Sequence, residues 1–354
     1  MQEITMNDDI TAARKDASWI GLSVGEYKID SILGEGLFSR VYKGTSQSGS
    51  SKVFKVAKDS SATSTTLNTV KFDTQALRQI TGGFLRMRPD AEWLVAQEAE
   101  RLENNAHPNL VKVDAFSKSP VPYFQMEHIE GSTLRQLMQS GPVPIKIFLE
   151  IARSMNQLLR DTKFGYHGDL KPENIIVTKE GAIKFIDPGY FGDLKDLNGR
   201  TSNTSITTPI YYPFLQPDDV LAFGLILWEA AFGEQPLSWS GGVAVPPASD
   251  AAKMPAPPGN YISSEEIDCD HVGEDLLAYV RGFEMCGNYF LSPILALRDP
   301  LTRRPEMPAE VRAFLLKCLR LRAGKKMNLD TGYQSMGQIA GALIALSERG
   351  IEHF

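Results

Sequence analysis

An aspartate, a lysine and an asparagine lie close together in the segment HGDLKPEN, residues 167–174. Asp169 can accept the proton of an attacking hydroxyl group, and Lys171 can neutralise charge on a migrating phosphoryl group. Asn174, five residues after Asp169, can reach a Mg²⁺ ion from the same loop. This spacing favours the chemistry of phosphoryl transfer.

A second acidic residue follows the apolar segment IKFI, residues 183–186. Asp187 stands thirteen residues after Asn174 and directly before a Pro-Gly break. A carboxylate at the end of a strand suits a Mg²⁺ ligand that bridges two phosphates. The two segments together therefore predict a site for a metal-bound nucleotide.

Two segments nearer the N-terminus have residue types that suit phosphate binding. A glycine-bearing turn at residues 34–36 lets backbone N–H groups approach phosphate oxygens, although an ordinary hairpin turn has the same composition. Lys55 lies in the apolar strand segment 53–56, where a buried lysine needs a carboxylate or phosphate partner. Lys58 is the competing candidate, and a solvent-facing lysine on an edge strand is the alternative interpretation. We favour Lys55 because apolar residues flank it on both sides.

The elements that must position these residues change in character along the chain. Strand patterns occupy residues 26–58 and 111–129. Between them, residues 74–104 have a helical pattern that is interrupted by a Gly-Gly pair, and Asp90 is its predicted cap. A helix opens near residue 132, and residues 145–354 read as mainly helical. The pattern predicts a strand-rich smaller lobe, a short connector and a helical larger lobe.

The composition excludes several other classes of protein. A formal net charge of -6 argues against a nucleic-acid binder, and the longest apolar run, residues 220–232, is too short to span a bilayer. The three cysteines form no CxxC pair, so a disulfide framework or zinc site is not expected, and Cys269 beside His271 reads as structural or surface. With no signal-peptide pattern at residues 1–23, a cytoplasmic protein is expected.

These residues resemble the eukaryotic-type Ser/Thr protein kinase superfamily, in a divergent form with bacterial character, over residues 26–345. Residues 219–229 are similar to the family's central large-lobe helix, which is a match independent of the active-site loop. The resemblance implies an α+β, bilobal fold. Its expected divisions are an N-terminal extension at 1–25, an N-lobe at 26–129 with an insertion at about 59–96, and a C-lobe at 130–354.

The resemblance also implies roles for individual residues. Lys55 would bind the α- and β-phosphates and pair with Glu98, beside the catalytic Asp169 and Lys171. Asn174 and Asp187 would hold Mg²⁺, with Mn²⁺ as a substitute. The ATP site would be lined by further residues of the glycine loop, the strands and the hinge, namely Gly34, Glu35, Gly36, Ser39, Val41, Val53, Met126, Glu127, Ile129 and Ile176.

Three departures from the family pattern bear on regulation. Gly168 replaces the arginine that in the family senses phosphate on the activation segment, which implies activation without that contact. Pro188 replaces an aromatic residue, fixes φ and removes an N–H donor. Phe214 replaces a glutamate at the end of a shortened activation segment, and this weakens inference about peptide docking. Thr208, in that segment, is a candidate to hydrogen-bond Asp169 and Lys171.

Three functions remain open from the sequence. The favoured one is an ATP- and Mg²⁺-dependent Ser/Thr protein kinase acting on protein hydroxyls, with autophosphorylation in the Ser/Thr-rich run 60–66 set against a plain solvated loop. The second is a small-molecule kinase of the aminoglycoside or choline phosphotransferase type, which shares the HGD triplet. The third is a nucleotide-binding, non-catalytic scaffold, favoured by Ser39 in place of a glycine and by Pro188.

Overall fold

The computed structural model of the protein describes most of both lobes. The described residues are 18–36, 38–58, 90–119, 121–195, 201–206, 208, 211–212, 217–233, 284–285, 289–290, 306–319 and 332–354. Several predicted features lie outside them: the Ser/Thr-rich run 60–66, the first part of the helix predicted over 74–104, Phe214 and the Cys269–His271 cluster.

The smaller lobe is built on a six-stranded sheet in which every neighbouring pair is antiparallel. The strand order is β1-β2-β3-β4-β6-β5. The strands are β1 (Ser23–Val24), β2 (Tyr27–Glu35), β3 (Ser39–Ser46), β4 (Ser51–Ala57), β5 (Val113–Ser117) and β6 (Tyr123–Glu127). In β4 all five residues from Val53 to Ala57 are buried, because the strand lies inside the sheet and a helix covers one of its faces.

The helix against this sheet is α1 (Ala91–Asn104). Asp90 begins it by accepting hydrogen bonds from the N–H groups of Glu92 (2.9 Å) and Trp93 (3.2 Å). Such a cap satisfies backbone donors that have no partner within the helix. The predicted cap is therefore confirmed, and residues 90–96, assigned by sequence to an insertion, belong to this cap and helix.

The sheet also begins earlier than residue 26, the boundary expected for the small lobe. Strand β1 pairs with β2 through Ser23 and Val24. Trp19 is almost fully buried, with its ring stacked on Tyr42 at 6.2 Å and edge-on to Tyr123 at 5.3 Å. Aromatic burial of this kind is a large apolar contribution, so residues 18–25 pack as part of the small-lobe core.

The larger lobe combines helices with a small three-stranded sheet and several hairpins. The helices are α2 (Leu134–Ser140), α3 (Ile145–Asp161), α4 (Asp219–Phe232), α5 (Ala309–Cys318) and α6 (Met336–Glu348). The sheet contains β7 (Gly131–Thr133), β8 (Ile175–Thr178) and β9 (Ile183–Phe185), and the paired strands are β10 (Tyr190–Lys195) with β11 (Thr201–Ile206) and β12 (Glu284–Met285) with β13 (Tyr289–Phe290). The strands after residue 174 differ from the mainly helical pattern expected there, whereas the α+β class is confirmed.

Helix α4 lies at the centre of the larger lobe. Eleven of its residues are buried, including the polar Asp219 and Glu229. Gly224 allows a close approach to α5, since a Cβ at that position would lie 2.7 Å from the Cys318 carbonyl oxygen. Within the described part of the chain, no helix is both long and apolar enough to cross a membrane.

Candidate active site

A buried lysine connects the two lobes. Lys55 lies in β4 opposite Val41 and Phe124 and is only 6% exposed. Its Nζ donates to Glu98 Oε2 of α1 at 2.5 Å and also to Asp187 Oδ1. A lysine in this position requires such partners because its charge has been removed from water. The predicted preference for Lys55 and its pairing with Glu98 agree with this geometry.

The charges of this triad shift one another's pKa values. Burial alone would lower the pKa of Lys55, but the carboxylates of Asp187 and Glu98 raise it above its ordinary value. Partial removal from water opposes ionisation of Asp187, yet the Lys55 ammonium group holds the pKa of that carboxyl below its usual range. Burial raises the pKa of Glu98 to about 7, opposed by Lys55. Lys55 is therefore a permanent cation facing the cleft.

The competing lysine has a different position. Lys58 is also buried, and its Nζ lies 2.6 Å from Glu35 Oε1 and donates to the Gly36 carbonyl at 2.7 Å. Arg40 donates from Nε to the same Glu35 oxygen at 3.2 Å. Two cations thus hold the carboxylate of Glu35 and keep its pKa low. Lys58 therefore anchors the glycine turn, a role that sequence reasoning did not assign to it.

The catalytic-loop aspartate is surrounded by donors. Lys171 Nζ donates to Asp169 Oδ2 at 2.7 Å and to Thr208 Oγ1 at 3.0 Å. The Thr208 N–H donates to Asp169 Oδ1 at 2.7 Å. These contacts confirm the expectation that Thr208 reaches both Asp169 and Lys171, and they hold the carboxylate and the amino group side by side.

Asn174 joins the loop to the segment that carries Asp187. Its Nδ2 donates to Asp169 O at 2.8 Å, to Asp169 Oδ2 at 3.1 Å and to Asp187 O at 3.2 Å. Because Nδ2 is engaged in these hydrogen bonds, the amide oxygen Oδ1 is the atom of Asn174 that could bind a metal ion. The Asp187 side chain is 48% exposed, so its carboxylate is accessible from the cleft.

These donors fit a magnesium ion. An amide oxygen and a carboxylate are ligands that Mg²⁺ accepts, and it usually takes its remaining ligands from water and substrate phosphates. Among the residues that the structure describes, no three His, Cys, Asp or Glu side chains form a self-contained metal site. An ion held by Asn174 and Asp187 would thus depend on the phosphates of a nucleotide.

A buried carboxylate of α4 holds the backbone of the catalytic loop. Asp219 accepts the N–H of His167 at 2.6 Å and that of Gly168 at 2.9 Å. The Tyr212 hydroxyl donates to Asp219 at 2.5 Å and accepts the Leu170 N–H at 2.7 Å. Charge-assisted bonds of this type are stronger than neutral ones. The loop is therefore held to the first turn of α4.

The His167 ring is fully buried beneath the loop. Its Nε2 lies 3.0 Å from the Ile186 carbonyl oxygen, and its Nδ1 lies 3.3 Å from the Asp169 nitrogen, which donates to it. Both contacts are satisfied by a neutral ring protonated on Nε2. Burial lowers the pKa of His167 to about 4, so the ring is a neutral bridge between the two aspartate segments.

Gly168 departs from the family pattern for a local steric reason. Its φ is +82°, a conformation that L-residues with a side chain rarely adopt. A Cβ there would lie 2.8 Å from Phe191 Cε2 and 3.0 Å from Tyr166 Cδ2. The backbone and the Phe191 ring together disfavour the arginine found in the family at this position.

A second buried ion pair lies beside the catalytic loop. Arg135 of α2 donates to Glu229 of α4 at 2.5 Å and to Glu173 at 2.7 Å. The Tyr211 hydroxyl donates to Glu229 at 2.6 Å, and burial raises the pKa of Tyr211. Sequence reasoning did not identify Arg135, because nothing in its local pattern distinguishes it from a surface arginine.

The residues predicted to bind the nucleotide lie on strands and turns of both lobes. Met126 is buried at the end of β6, and the Glu127 N–H after it donates to the Lys112 carbonyl at 2.9 Å, which removes that donor from adenine recognition. The remaining residues lie on the strands and turns of both lobes, with Gly34, Glu35, Gly36, Ser39, Val41 and Val53 at the β2–β4 strands, Ile129 after β6 and Ile176 in β8.

The chain is similar to serine/threonine-protein kinases of several organisms. It is 28% identical to the PknB kinase of Mycobacterium leprae over 195 residues, which cover 50% of this chain and 31% of the relative. It is 29% identical to a probable kinase of Clostridium perfringens, covering 42% and 24%, and 29% identical to one of Dictyostelium discoideum, covering 62% and 22%. The chain thus spans about a third or less of the length of these relatives.

A family model described as the protein kinase domain matches residues 27–245, which is more than half of the chain. The matched range contains every side chain of the cleft described above. It begins at the first residue of β2 and includes the catalytic loop and α4. The geometry and this match agree, and the chain belongs to the protein kinase family.

Proposed function

We propose that this protein is an ATP- and Mg²⁺-dependent Ser/Thr protein kinase. One observation carries the proposal: Lys55 lies between Glu98 and Asp187 in the same cleft in which Asp169 is paired with Lys171. This geometry supports Lys55 as a phosphate-binding cation and Asp169 as a hydroxyl-activating carboxylate. Protein substrates, autophosphorylation, a cytoplasmic location and the division into lobes near residue 129 are parts of the same proposal.

The acceptor side of the reaction would be handled by Asp169. A Ser or Thr hydroxyl donates its hydrogen bond to this carboxylate, and its oxygen forms a bond to the γ-phosphorus of ATP. The bond between that phosphorus and the β–γ bridging oxygen breaks, ADP leaves, and Asp169 receives the hydroxyl proton. Lys171 lies 2.7 Å from Asp169 and would neutralise charge on the transferred group.

The nucleotide side would be handled by Lys55, held in place by Glu98. Asn174 and Asp187 would hold a Mg²⁺ ion, which neutralises phosphate charge when bound, with Mn²⁺ as a substitute. No covalent intermediate is required, so catalysis consists mainly of positioning and charge neutralisation. The buried network around His167 and Asp219 supplies the rigidity that positioning requires.

The test is phosphoryl transfer from radiolabelled ATP to generic protein substrates and to the protein itself. Asp169→Asn is expected to lower the rate by about 10²–10⁴-fold, the usual contribution of a general base. Asp161→Asn is the matched control, because that aspartate lies at the surface, where it pairs with Arg160. Phosphoamino-acid analysis should show phosphoserine or phosphothreonine. Equal labelling of protein by wild type and Asp169→Asn would refute the assignment.

The other two functions give different results in the same experiment. Label found only in low-molecular-weight metabolites would indicate a small-molecule kinase, against which the similarity to serine/threonine-protein kinases already argues. A scaffold would show no transfer to any acceptor. Asp187→Asn should also abolish stabilisation by Mg²⁺·ATP in a thermal unfolding assay, since a ligand stabilises only the state that it binds.

A further inference from the structure

A partly buried arginine contacts the catalytic loop from the opposite lobe. Arg101 lies in α1, three residues after Glu98 and thus one turn along the same helix. Its guanidinium group donates to the carbonyl oxygens of Gly189 at 2.6 Å, Phe164 at 3.3 Å and Tyr166. Every hydrogen-bond acceptor in this set belongs to the main chain.

The guanidinium group is also enclosed by two aromatic rings. Its central carbon lies 4.2 Å from the centroid of Phe164 and 4.4 Å from that of Tyr166. Contacts of a cation with ring faces are strongest where water is excluded. Arg101 is mostly buried, and burial lowers its pKa. The planar fork and the flat stacking surface suit arginine and do not suit lysine.

No carboxylate of the described residues lies within ion-pair distance of Arg101. Asp219 and Glu98 act on it only at longer range. A partly buried arginine whose hydrogen-bond acceptors are carbonyl oxygens, not a carboxylate, is held by a particular backbone arrangement. Arg101 therefore links the position of α1 to the backbone geometry of the catalytic loop.

The three carbonyls come from the two segments that carry the aspartates of the site. Phe164 and Tyr166 precede Asp169, and Gly189 follows Asp187. The Gly189 N–H also donates to the His167 carbonyl at 3.0 Å, which joins the two segments beside Arg101. A displacement of α1 would break all three bonds of the guanidinium group at once.

We infer that Arg101 is a positioning residue that holds α1 against the catalytic loop and thereby keeps Glu98 in its ion pair with Lys55. The loop itself carries no side chain at Gly168, where Phe191 and the backbone conformation disfavour one. The contact uses main-chain oxygens, so it requires no added phosphate group. The consequence for catalysis rests on the proposed function, whereas the effect on Lys55 does not.

The first test measures the chemical reactivity of Lys55 in nucleotide-free protein. A lysine-acylating reagent and mass spectrometry give its modification rate in wild type, Arg101→Met, Arg101→Lys and Glu98→Gln. Lys55 must leave its ion pairs to react, and Glu98→Gln removes one of them, so Lys55 of this variant should react about tenfold faster. Both Arg101 variants should approach that rate. Arg153→Met, which changes an exposed arginine paired with Glu150, is the control and should match wild type.

The second test uses kinetics to separate positioning from simple stability. Each Arg101 variant should lower kcat by about 10–100-fold, with less than about a threefold change in KM for ATP, because a small misplacement of catalytic groups slows the chemical step. Combining Arg101→Met with Glu98→Gln should lower kcat little further, because residues that act through one interaction are not additive. Additive losses would contradict the inference.

Folding is checked by circular dichroism and thermal unfolding, so that only folded variants are compared. Arg101→Lys keeps the charge and the aliphatic stem and serves if Arg101→Met does not fold. A folded variant whose Lys55 reacts at the wild-type rate would overturn the inference. If the wild type transfers no phosphate, the proposed function fails, and the reactivity of Lys55 still decides the role of Arg101.

Discussion

Replacing Gly168 with alanine tests the steric account of the catalytic loop. Two costs add at this position. An L-residue in the left-handed region loses about 1–2 kcal/mol, and Gly168 has φ +82°. A Cβ only 2.8 Å from Phe191 Cε2 also forces the ring or the loop to move, and overpacking of this type costs about 1–3 kcal/mol. We expect a total loss of about 2–5 kcal/mol.

Gly165 provides a matched control in the same loop. Its φ is +76°, but a Cβ at this position would have the Lys163 carbonyl oxygen, at 4.0 Å, as its nearest neighbour. Gly165→Ala should therefore show only the backbone cost of about 1–2 kcal/mol. Urea unfolding of both variants, followed by circular dichroism, gives the difference. Equal losses for Gly165→Ala and Gly168→Ala would refute the argument from Phe191.

A double-mutant cycle identifies the clashing partner directly. Phe191→Ala is itself destabilising, because the ring lies 5.4 Å from Tyr166 and 6.1 Å from Tyr212. In that background Gly168→Ala should lose about 1 kcal/mol less than it does alone, since the shortest contact has been removed. Gly168→Arg, which restores the family residue, should be at least as destabilising as Gly168→Ala. If Gly168→Arg were as stable as the wild type, the steric account of this position would be contradicted.

Three further predictions concern the buried polar network. The pKa of His167 is about 4 in the folded protein against an ordinary value of 6.5, so the unfolded chain binds the proton first as the pH falls. Lowering the pH from about 7 to about 5.5 should therefore reduce the free energy of unfolding by about 1 kcal/mol more in wild type than in His167→Gln. Parallel pH profiles of unfolding would refute this. Tyr212→Phe leaves a carboxylate and a backbone N–H without their hydroxyl partner and should lose about 2 kcal/mol in urea unfolding, whereas an unchanged midpoint would show that the bonds are replaced. Arg135→Ala leaves the buried Glu229 without its cationic partner and should lower the free energy of unfolding by about 3 kcal/mol. Arg153→Ala breaks an exposed pair and should lower it by less than about 1 kcal/mol. Similar losses for the two variants would contradict this distinction.

The parts of the site that sequence predicts well are those encoded within short segments. Asp169, Lys171 and Asn174 belong to the single segment 167–174, so their relative placement follows from one loop. Apolar neighbours favour Lys55, and it is buried because β4 lies inside the sheet. Both inferences require only local patterns and the general cost of burying charge.

Contacts between distant segments cannot be read in the same way. Arg101 bonds to Tyr166 and Gly189 across 65 and 88 residues, and an arginine in the last turn of a helix usually faces water. Lys58 competes with Lys55 on sequence grounds, since sequence alone does not reveal that the Gly36 carbonyl and Glu35 lie beside it. Such partners depend on the folded path of the chain.

The bonds from Asp219 to the catalytic loop have a consequence for motion in the cleft. Asp169 is tied through its loop to α4, the most buried of the described large-lobe helices, whereas Lys55 is part of the small-lobe sheet. A hinge motion between the lobes would therefore move Lys55 relative to Asp169 and to the proposed metal ligands Asn174 and Asp187. Substitutions in β3 or β4 should then change nucleotide affinity while leaving the alignment of the acceptor hydroxyl intact.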